Sequence, residues 1–94
     1  MAFQVRFSDV AVNDLEKLRA VNRASILDDV ERFLTVNPAL ESKMRVKRLR
    51  EPAPAQFRLR VGDFRIFYDL EGKWVTILRV LHKSDTEQYL EDQP

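Results

Sequence analysis

The segment from residue 57 to residue 70 constrains the fold more than any other part of the chain. Apolar residues alternate with arginine over residues 57–61, Gly62-Asp63 follows, and a second alternating run covers residues 64–70. Two such runs joined by a two-residue loop that begins with glycine predict a β-hairpin. The chain is therefore expected to contain an antiparallel sheet.

The length of this loop also predicts which residues lie opposite each other. With a two-residue loop, Arg60 pairs with Arg65 and Arg58 pairs with Phe67, and residues directly opposite share one face of the sheet. The other face is apolar, and we expect it to lie beneath helices. It carries Leu59, Val61, Phe64, Ile66 and Tyr68.

Two explanations fit the predicted face with three arginines. Like charges directly opposite each other destabilise a hairpin, and guanidinium groups beside an aromatic ring can bind phosphates and a stacked base. Alternatively, the face is structural, with Arg58 packed on Phe67 through a cation–π contact and the other arginines paired with Asp63 or Asp69. The opposed arginines favour the functional explanation.

The first half of the chain predicts a short strand and two helices. Residues 3–7 alternate as a strand does. Ser8 has the side chain of an N-cap for a helix over residues 9–20, and Asn22 can cap a second helix that ends before Pro38. Because the connection between the helices is short, they are expected to form an antiparallel pair.

Two further strands complete the predicted sheet, a weak one over residues 44–49 and a clear one from Trp74 to Leu81. The predicted fold class is α+β. It has an N-terminal strand, an antiparallel helix pair and then a three- to four-stranded antiparallel sheet.

The face of the last strand depends on the preceding turn. A slip of one residue exchanges the two faces of a strand, and the sequence leaves both registers open. A two-residue loop Glu71-Gly72 buries Val75 and Ile77, whereas a longer loop ending at Lys73 buries Trp74, Leu78 and Val80.

Length and composition narrow the class of protein. The 94 residues suit one domain, spanning residues 1–94. The absence of cysteine excludes disulfides, thiolate metal sites and a cysteine nucleophile. No run of about 20 apolar residues is present, and the first ten residues do not resemble a signal peptide. We expect no metal, no cofactor and no membrane partner.

Charge is distributed unevenly along the chain. The net charge is +1, but residues 43–65 hold eight Lys and Arg against Glu51 and Asp63, which gives this segment a charge of +6. An asymmetry of this kind indicates a polyanionic partner. The tail adds His82, which taken alone is more often a hydrogen-bonded surface residue than a catalyst, and Tyr89, which taken alone is usually a packing residue.

The pattern Arg-x-Arg-x-Gly-x-Phe-Arg-x-x-Tyr over residues 58–68 resembles the RelE branch of the RelE/ParE toxin superfamily. The resemblance continues through an aliphatic strand and a tail in which a basic residue precedes a tyrosine. It covers nearly the whole chain. It implies the RelE-like fold and a cytoplasmic toxin of a type II toxin–antitoxin pair. RelE-type members are implied to be ribosome-dependent endoribonucleases that cut mRNA and so inhibit translation.

The resemblance also implies partners and a reaction. The partners are a cognate antitoxin that wraps the toxin, the ribosome and mRNA, and operon DNA is bound only through the antitoxin complex. The reaction is metal-independent cleavage through attack by the ribose 2′-hydroxyl. Two alternatives stay open, namely a ParE-like inhibitor of DNA gyrase and a non-catalytic RNA- or ribosome-binding member of the same fold.

The same resemblance assigns candidate catalytic residues. Arg65 falls on the arginine that contacts the scissile phosphate, and Tyr89 falls on the tyrosine that stacks on the substrate base. Lys83 stands where RelE-type toxins often carry an arginine that acts as the general acid. Lysine is a compact point charge rather than a planar fork, so His82 beside it is an alternative proton donor.

The remaining predicted residues bind RNA. Arg58 and Arg60 fall on a pair of basic strand residues of the family. The basic segment adds Lys47 and Arg48, and the ring of Phe67 completes the predicted RNA-binding set.

Overall fold

The computed structural model describes residues 2–91, which form a five-stranded sheet with two helices on one face and a short helix on the other. The predicted α+β class and the order of elements are confirmed. The elements are β1 (Gln4–Phe7), α1 (Asp9–Glu16), α2 (Ala20–Leu34), β2 (Val46–Arg48), β3 (Phe57–Val61), β4 (Phe64–Glu71), β5 (Trp74–His82), a 3₁₀ turn (Lys83–Asp85) and α3 (Thr86–Glu91).

The strand order in the sheet is β1-β5-β4-β3-β2. The four strands after the helices are antiparallel, as the sequence predicts, whereas β1 joins the sheet at its edge and runs parallel to β5. Within residues 2–91, no helix combines the length and the apolar character needed to span a bilayer.

The helices differ from the prediction at their shared boundary. Ser8 caps α1 as predicted, because its Oγ accepts a hydrogen bond from the Ala11 amide at 3.1 Å. However, α1 ends at Glu16, and α2 begins at Ala20 without a cap from Asn22. The guanidinium of Arg23 donates to the carbonyls of Leu15 and Leu18, at 3.2 and 3.1 Å. These bonds satisfy carbonyls at the end of α1 and stabilise the tight connection.

The predicted pairing of the β3–β4 hairpin is confirmed residue by residue. Arg60 lies opposite Arg65, and Arg58 lies opposite Phe67. The turn uses Gly62 at a φ of +57°, a backbone conformation that glycine adopts at no steric cost.

Strand β5 contains an irregularity that the sequence did not reveal. The turn before it is Gly72-Lys73, since Glu71 pairs with Trp74, and Val75 and Ile77 are fully buried. Between the pairs Tyr68–Ile77 and Phe67–Arg79 the register shifts, which leaves Leu78 as an extra residue. An extra residue reverses the alternation of faces, so Val80 is buried too. Both registers predicted from the sequence are therefore wrong as pairings. The predicted burial of Val75 and Ile77 is confirmed, whereas of Trp74, Leu78 and Val80 only Val80 is buried.

The core lies between the two long helices and one face of the sheet. Helix residues such as Ile26, Val30 and Leu34 pack on the apolar hairpin face that the sequence predicts. Tyr68 belongs to this core, and its hydroxyl donates to the Pro38 carbonyl at 2.6 Å. Burial raises the pKa of this phenol well above its ordinary value.

Helix α1 covers part of one edge of β5. β1 pairs with only the first part of β5, up to Ile77. Beyond it, the Ser8 hydroxyl donates to the Leu78 carbonyl at 3.0 Å, and Asp14 Oδ2 accepts from the Val80 amide at 2.9 Å. Side chains from α1 thus satisfy backbone groups that an exposed sheet edge would leave unpaired.

Candidate functional site

The sheet face opposite α1 and α2 carries a cluster of cations, here called the arginine face and defined by Arg58, Arg60 and Arg65. The strand register places Lys47 beside Arg58 and Arg79 beyond Phe67 on this same face. Neighbouring strands lie about 5 Å apart, so these positive charges are held close together by the backbone pairing alone.

The charges of the arginine face repel one another. Burial lowers the pKa of Arg58, and the charge of Arg60 lowers it further. The pKa of Arg65 is also lowered, first by burial and then by Arg60 and Arg58, while Asp63 opposes this shift. The lowered pKa of each of these two arginines means that the folded chain disfavours its positive charge.

The structure does not show the cation–π contact and ion pairs expected if these arginines had a purely structural role. Within residues 2–91, no ion pair joins any of the three to a carboxylate, and Arg58 makes no cation–π contact with Phe67. Asp63 lies near Lys83 instead, and Asp69 accepts from the Gln56 amide at 2.7 Å. The buried Nε of Arg58 has no hydrogen-bond partner in the described part of the chain.

Arg65 is held at the end of the hairpin. Its Nη1 donates to the carbonyls of Gly62 and Phe64, each at 3.0 Å. Two backbone acceptors therefore fix the position of this guanidinium beside the β3–β4 turn, at one end of the arginine face.

Helix α3 lies across the arginine face and changes the predicted role of Phe67. The ring of Tyr89 packs on that of Phe67, with 4.9 Å between ring centroids, and Phe67 is fully buried. The expectation of an open face with Phe67 as an exposed ring is therefore wrong, because the sheet pattern does not show where the tail folds. Tyr89 itself is half-buried, and this burial raises its pKa.

The two predicted proton donors lie on different sides of the sheet. Lys83 lies at the hairpin end near Arg65, with its Nζ 3.5 Å from Asp63 Oδ1. His82 pairs with Phe64, whose side chain belongs to the helix-covered face, and its ring packs edge-on against Phe64 at 5.7 Å. The structure therefore brings Lys83 to the arginine face, whereas His82 lies across the sheet from it.

The imidazole of His82 has a local role in the chain. Its Nδ1 accepts a hydrogen bond from the Ser84 amide at 3.2 Å and lies 2.8 Å from the Ser84 hydroxyl. His82 thereby caps the 3₁₀ turn that leads into α3, which agrees with the hydrogen-bonded surface role common for a lone histidine.

The two basic residues of β2 lie on opposite faces of the sheet. Successive strand residues point to opposite faces, and the register places Lys47 opposite Arg58 but Arg48 opposite Phe57. The guanidinium of Arg48 packs over the Phe57 ring at 5.0 Å. Lys47 therefore lies beside the arginine face, whereas Arg48 lies on the opposite face of the sheet.

Arg79 is a residue of this region that the sequence reasoning missed. It makes a two-pronged contact with Asp14, Nε to Oδ2 at 2.8 Å and Nη2 to Oδ1 at 3.2 Å, and its guanidinium lies 5.5 Å from the centre of the Tyr89 ring. The hydrogen bond to Asp14 raises the pKa of Arg79. The sequence signal for Arg79 is a charged residue inside the aliphatic run of β5. The bulge reverses the alternation of faces, so the sequence did not predict on which face of the sheet Arg79 lies.

The described residues offer no evident metal site. Among residues 2–91, no group of three or more His, Cys, Asp or Glu side chains is placed to hold a metal ion. What the arrangement presents to a ligand is a set of guanidinium groups, which match the charge and geometry of phosphate oxygens.

Comparison with known families identifies the fold. The family model described as the ParE toxin of the type II toxin–antitoxin system parDE matches residues 5–87. The chain belongs to this toxin family. Among curated proteins, no significant match is found.

Solved structures agree with this assignment. The toxin–antitoxin complex RelBE2 from Mycobacterium tuberculosis contains a chain that is 30% identical, with a TM-score of 0.70 over 87% of this toxin and 99% of that chain. The RelB–RelE complexes from Methanococcus jannaschii and Pyrococcus horikoshii contain chains with the same fold. They are 23% and 24% identical, with TM-scores of 0.63 and 0.66 over 88% of this toxin and 95% and 97% of those chains.

Proposed function

We propose that this toxin is a ribosome-dependent endoribonuclease that cuts mRNA and thereby inhibits translation. The observation that carries the proposal is the cluster of Arg58, Arg60 and Arg65, which has no carboxylate partner within residues 2–91. An unneutralised cluster of this kind favours a ligand with concentrated negative charge, and an RNA phosphate is such a ligand.

The proposed reaction needs three things from the protein. The ribose 2′-hydroxyl must lose its proton, the phosphorane must be stabilised, and the leaving 5′-oxygen must be protonated. In this proposal Arg65 contacts the scissile phosphate from its fixed place at the hairpin end. Arg58 and Arg60 add positive charge to the same face, which favours binding of the RNA strand next to the scissile phosphate.

Two residues of the tail would complete the site, and the proton of the 2′-hydroxyl would pass to water. We assign Lys83 as the donor of a proton to the 5′-oxygen, since its amine lies at the same end of the hairpin as Arg65. Tyr89 would stack on a base of the mRNA, with Phe67 supporting its ring from behind. His82 has no part in the proposed mechanism because it lies across the sheet.

We further propose a cognate antitoxin as the protein partner. The related chain from M. tuberculosis was solved in a toxin–antitoxin complex, which supports the same kind of partner here. The toxin would then act in the cytoplasm and contact operon DNA only through the antitoxin complex.

The proposal is tested by inducible expression followed by primer extension on translated mRNA. Cleavage within codons that depends on translation is expected for the wild type and is lost in Arg65→Ala. Arg32→Ala is the matched control, because Arg32 is exposed on α2, away from the arginine face. Undiminished cleavage by Arg65→Ala would overturn the site assignment.

Inhibition of DNA gyrase is the second candidate, and the family model favours it, since its description names the ParE toxin of parDE. The arginine face would then be part of a protein interface. Growth arrest with intact mRNA, an induced DNA-damage response and inhibition of purified gyrase would support this candidate over the first.

A further inference from the structure

We propose that a hollow beside the arginine face, lined by Lys43, Lys47, Arg58 and Arg60, is a second phosphate subsite for a single-stranded RNA substrate. The inference rests on the proposed function, because it names the place where another phosphate of the same RNA strand binds. It adds Lys43 and the loop before β2 to the surface that contacts the substrate.

The hollow is formed by the backbone. It has a volume of about 180 Å³ and lies between the loop of residues 41–45 and strands β2 and β3. Lys47 lies directly opposite Arg58 in the sheet, and the Arg60 amide donates to the Arg45 carbonyl at 2.8 Å. The loop is thus attached to the strand that carries two of the arginines.

The loop that carries Lys43 is also held from within. The Ser42 hydroxyl accepts hydrogen bonds from the amides of Arg45 and Val46, at 3.0 and 3.3 Å, and the Ser42 amide donates to the Val46 carbonyl at 2.9 Å. Because the loop is ordered before any ligand arrives, little conformational entropy remains to be lost on binding.

The hollow keeps an excess of positive charge. Glu41 is the one carboxylate among its lining residues, and Glu41 Oε1 accepts from the Arg48 amide at 2.9 Å. Arg45 also lines the hollow, but its guanidinium pairs with Asp29 at 3.0 Å. Four cations therefore remain without a carboxylate partner within residues 2–91.

Arg58 supplies the strongest evidence for an anion at this position. Its Nε is buried and, within residues 2–91, has no hydrogen-bond partner. A buried donor without an acceptor costs free energy, and Arg58 lines the hollow, where an anion would stabilise its positive charge. The hollow, the cations and the unsatisfied donor together indicate an anionic oxygen ligand.

The distance to Arg65 shows that this subsite is a separate one. Lys47 on β2 and Arg65 on β4 are separated by two strand spacings, or about 10 Å. Arg65 is turned to the hairpin end, where its Nη1 donates to the Gly62 and Phe64 carbonyls, and it does not line the hollow. We therefore expect the substrate to be a strand with at least two phosphates, one near Arg65 and another in the hollow.

The test measures binding of a fluorescent single-stranded RNA tetranucleotide that carries 2′-O-methyl groups and so cannot be cleaved. Full-length wild type is compared with Lys43→Gln/Lys47→Gln by fluorescence anisotropy between low and moderate salt. The matched control is Lys17→Gln/Lys73→Gln, which removes the same charge at the end of α1 and in the β4–β5 turn.

The expected result is roughly tenfold weaker binding by the Lys43/Lys47 variant, with a salt slope smaller by about 0.7, the value for one phosphate on a single strand. The control variant should keep the wild-type slope. An unchanged slope in the Lys43/Lys47 variant, an equal loss in the control, or a wild type without salt-dependent binding would overturn the subsite.

The outcome is separable from that of the proposed function, because binding is read without cleavage. If wild type cuts mRNA but the Lys43/Lys47 variant binds RNA normally, the subsite is wrong and the function stands. If the variant loses affinity while wild type cuts no mRNA, the subsite stands and the function is wrong.

Discussion

Two groups of arginines in this protein differ in their electrostatic partners. Arg6, Arg45 and Arg79 lie at the edges of the sheet, and each is paired with a carboxylate, from Glu71, Asp29 and Asp14 respectively. The three residues of the arginine face lie in the hairpin, and within residues 2–91 none of them has such a partner.

Positive charge serves two purposes in this protein. Paired arginines hold elements together, as Asp14 and Arg79 do between α1 and β5. The unpaired arginines repel one another, which is a cost in the isolated fold. In the proposed function, that cost is offset when RNA binds. The following predictions test whether the two groups differ in this way.

The largest effect is expected for cleavage by Arg65 variants. Loss of a preorganised donor to developing negative charge typically costs about 100- to 1,000-fold in rate, and this is the expected result for Arg65→Ala. Arg65→Lys should recover only part of the rate, because lysine keeps the charge but not the planar fork. Single-turnover cleavage on programmed ribosomes measures both rates, and equal rates for Ala, Lys and Arg would contradict the prediction.

The next effect concerns stability in the paired group. Asp14→Ala should lower the free energy of unfolding by about 2 kcal/mol, because it leaves Arg79 and the Val80 amide without their acceptor. Asp14→Asn keeps an acceptor oxygen and should cost less. Urea denaturation checks both variants, and an Asp14→Ala variant as stable as wild type would show that this pair does not hold α1 to β5.

A smaller effect of opposite sign is expected in the unpaired group. Arg60→Thr removes the repulsion with Arg65 and places a good strand-forming residue in β3, so it should raise the free energy of unfolding by about 0.5 kcal/mol. The same change should weaken RNA binding. A loss of stability in urea denaturation would mean that Arg60 makes a stabilising contact and does not belong with the unpaired group.

The smallest effect is expected for the exposed pair of Arg6 and Glu71. The Glu71 side chain is 82% exposed, and the two atoms are 3.2 Å apart. Exposed ion pairs contribute less than about 1 kcal/mol, so Arg6→Gln should leave stability nearly unchanged. Denaturation in low and high salt measures the free energy of unfolding of this variant. A loss as large as that of Asp14→Ala would show that the exposed pair stabilises the fold as much as the pair of Asp14 and Arg79 does.

The hairpin shows what the sequence could predict. Its two-residue loop and strict alternation specify the register, and the structure reproduces each predicted pair from Arg58–Phe67 to Val61–Phe64. A short-range pattern is sufficient there because one turn determines every partner. The cap by Ser8 and the buried position of Tyr68 were predicted for similarly local reasons.

The errors come from contacts between residues distant in the chain. The covering of Phe67 by Tyr89 depends on where α3 folds, and the face of Arg79 depends on the bulge at Leu78. Neither has a local pattern. The opposite faces of Lys47 and Arg48 follow from the alternation of a strand, which a count of charge along the chain does not show.

The most direct test of the central claim observes the arginine side chains themselves. Nitrogen-15 NMR of the guanidinium groups is recorded while the non-cleavable RNA tetranucleotide is added to the full-length protein. We expect the Nε resonances of Arg58, Arg60 and Arg65 to shift, while that of Arg6, on the far edge strand β1, stays in place. A shift of Arg6 as large as theirs, or no shift of the three, would contradict the central claim.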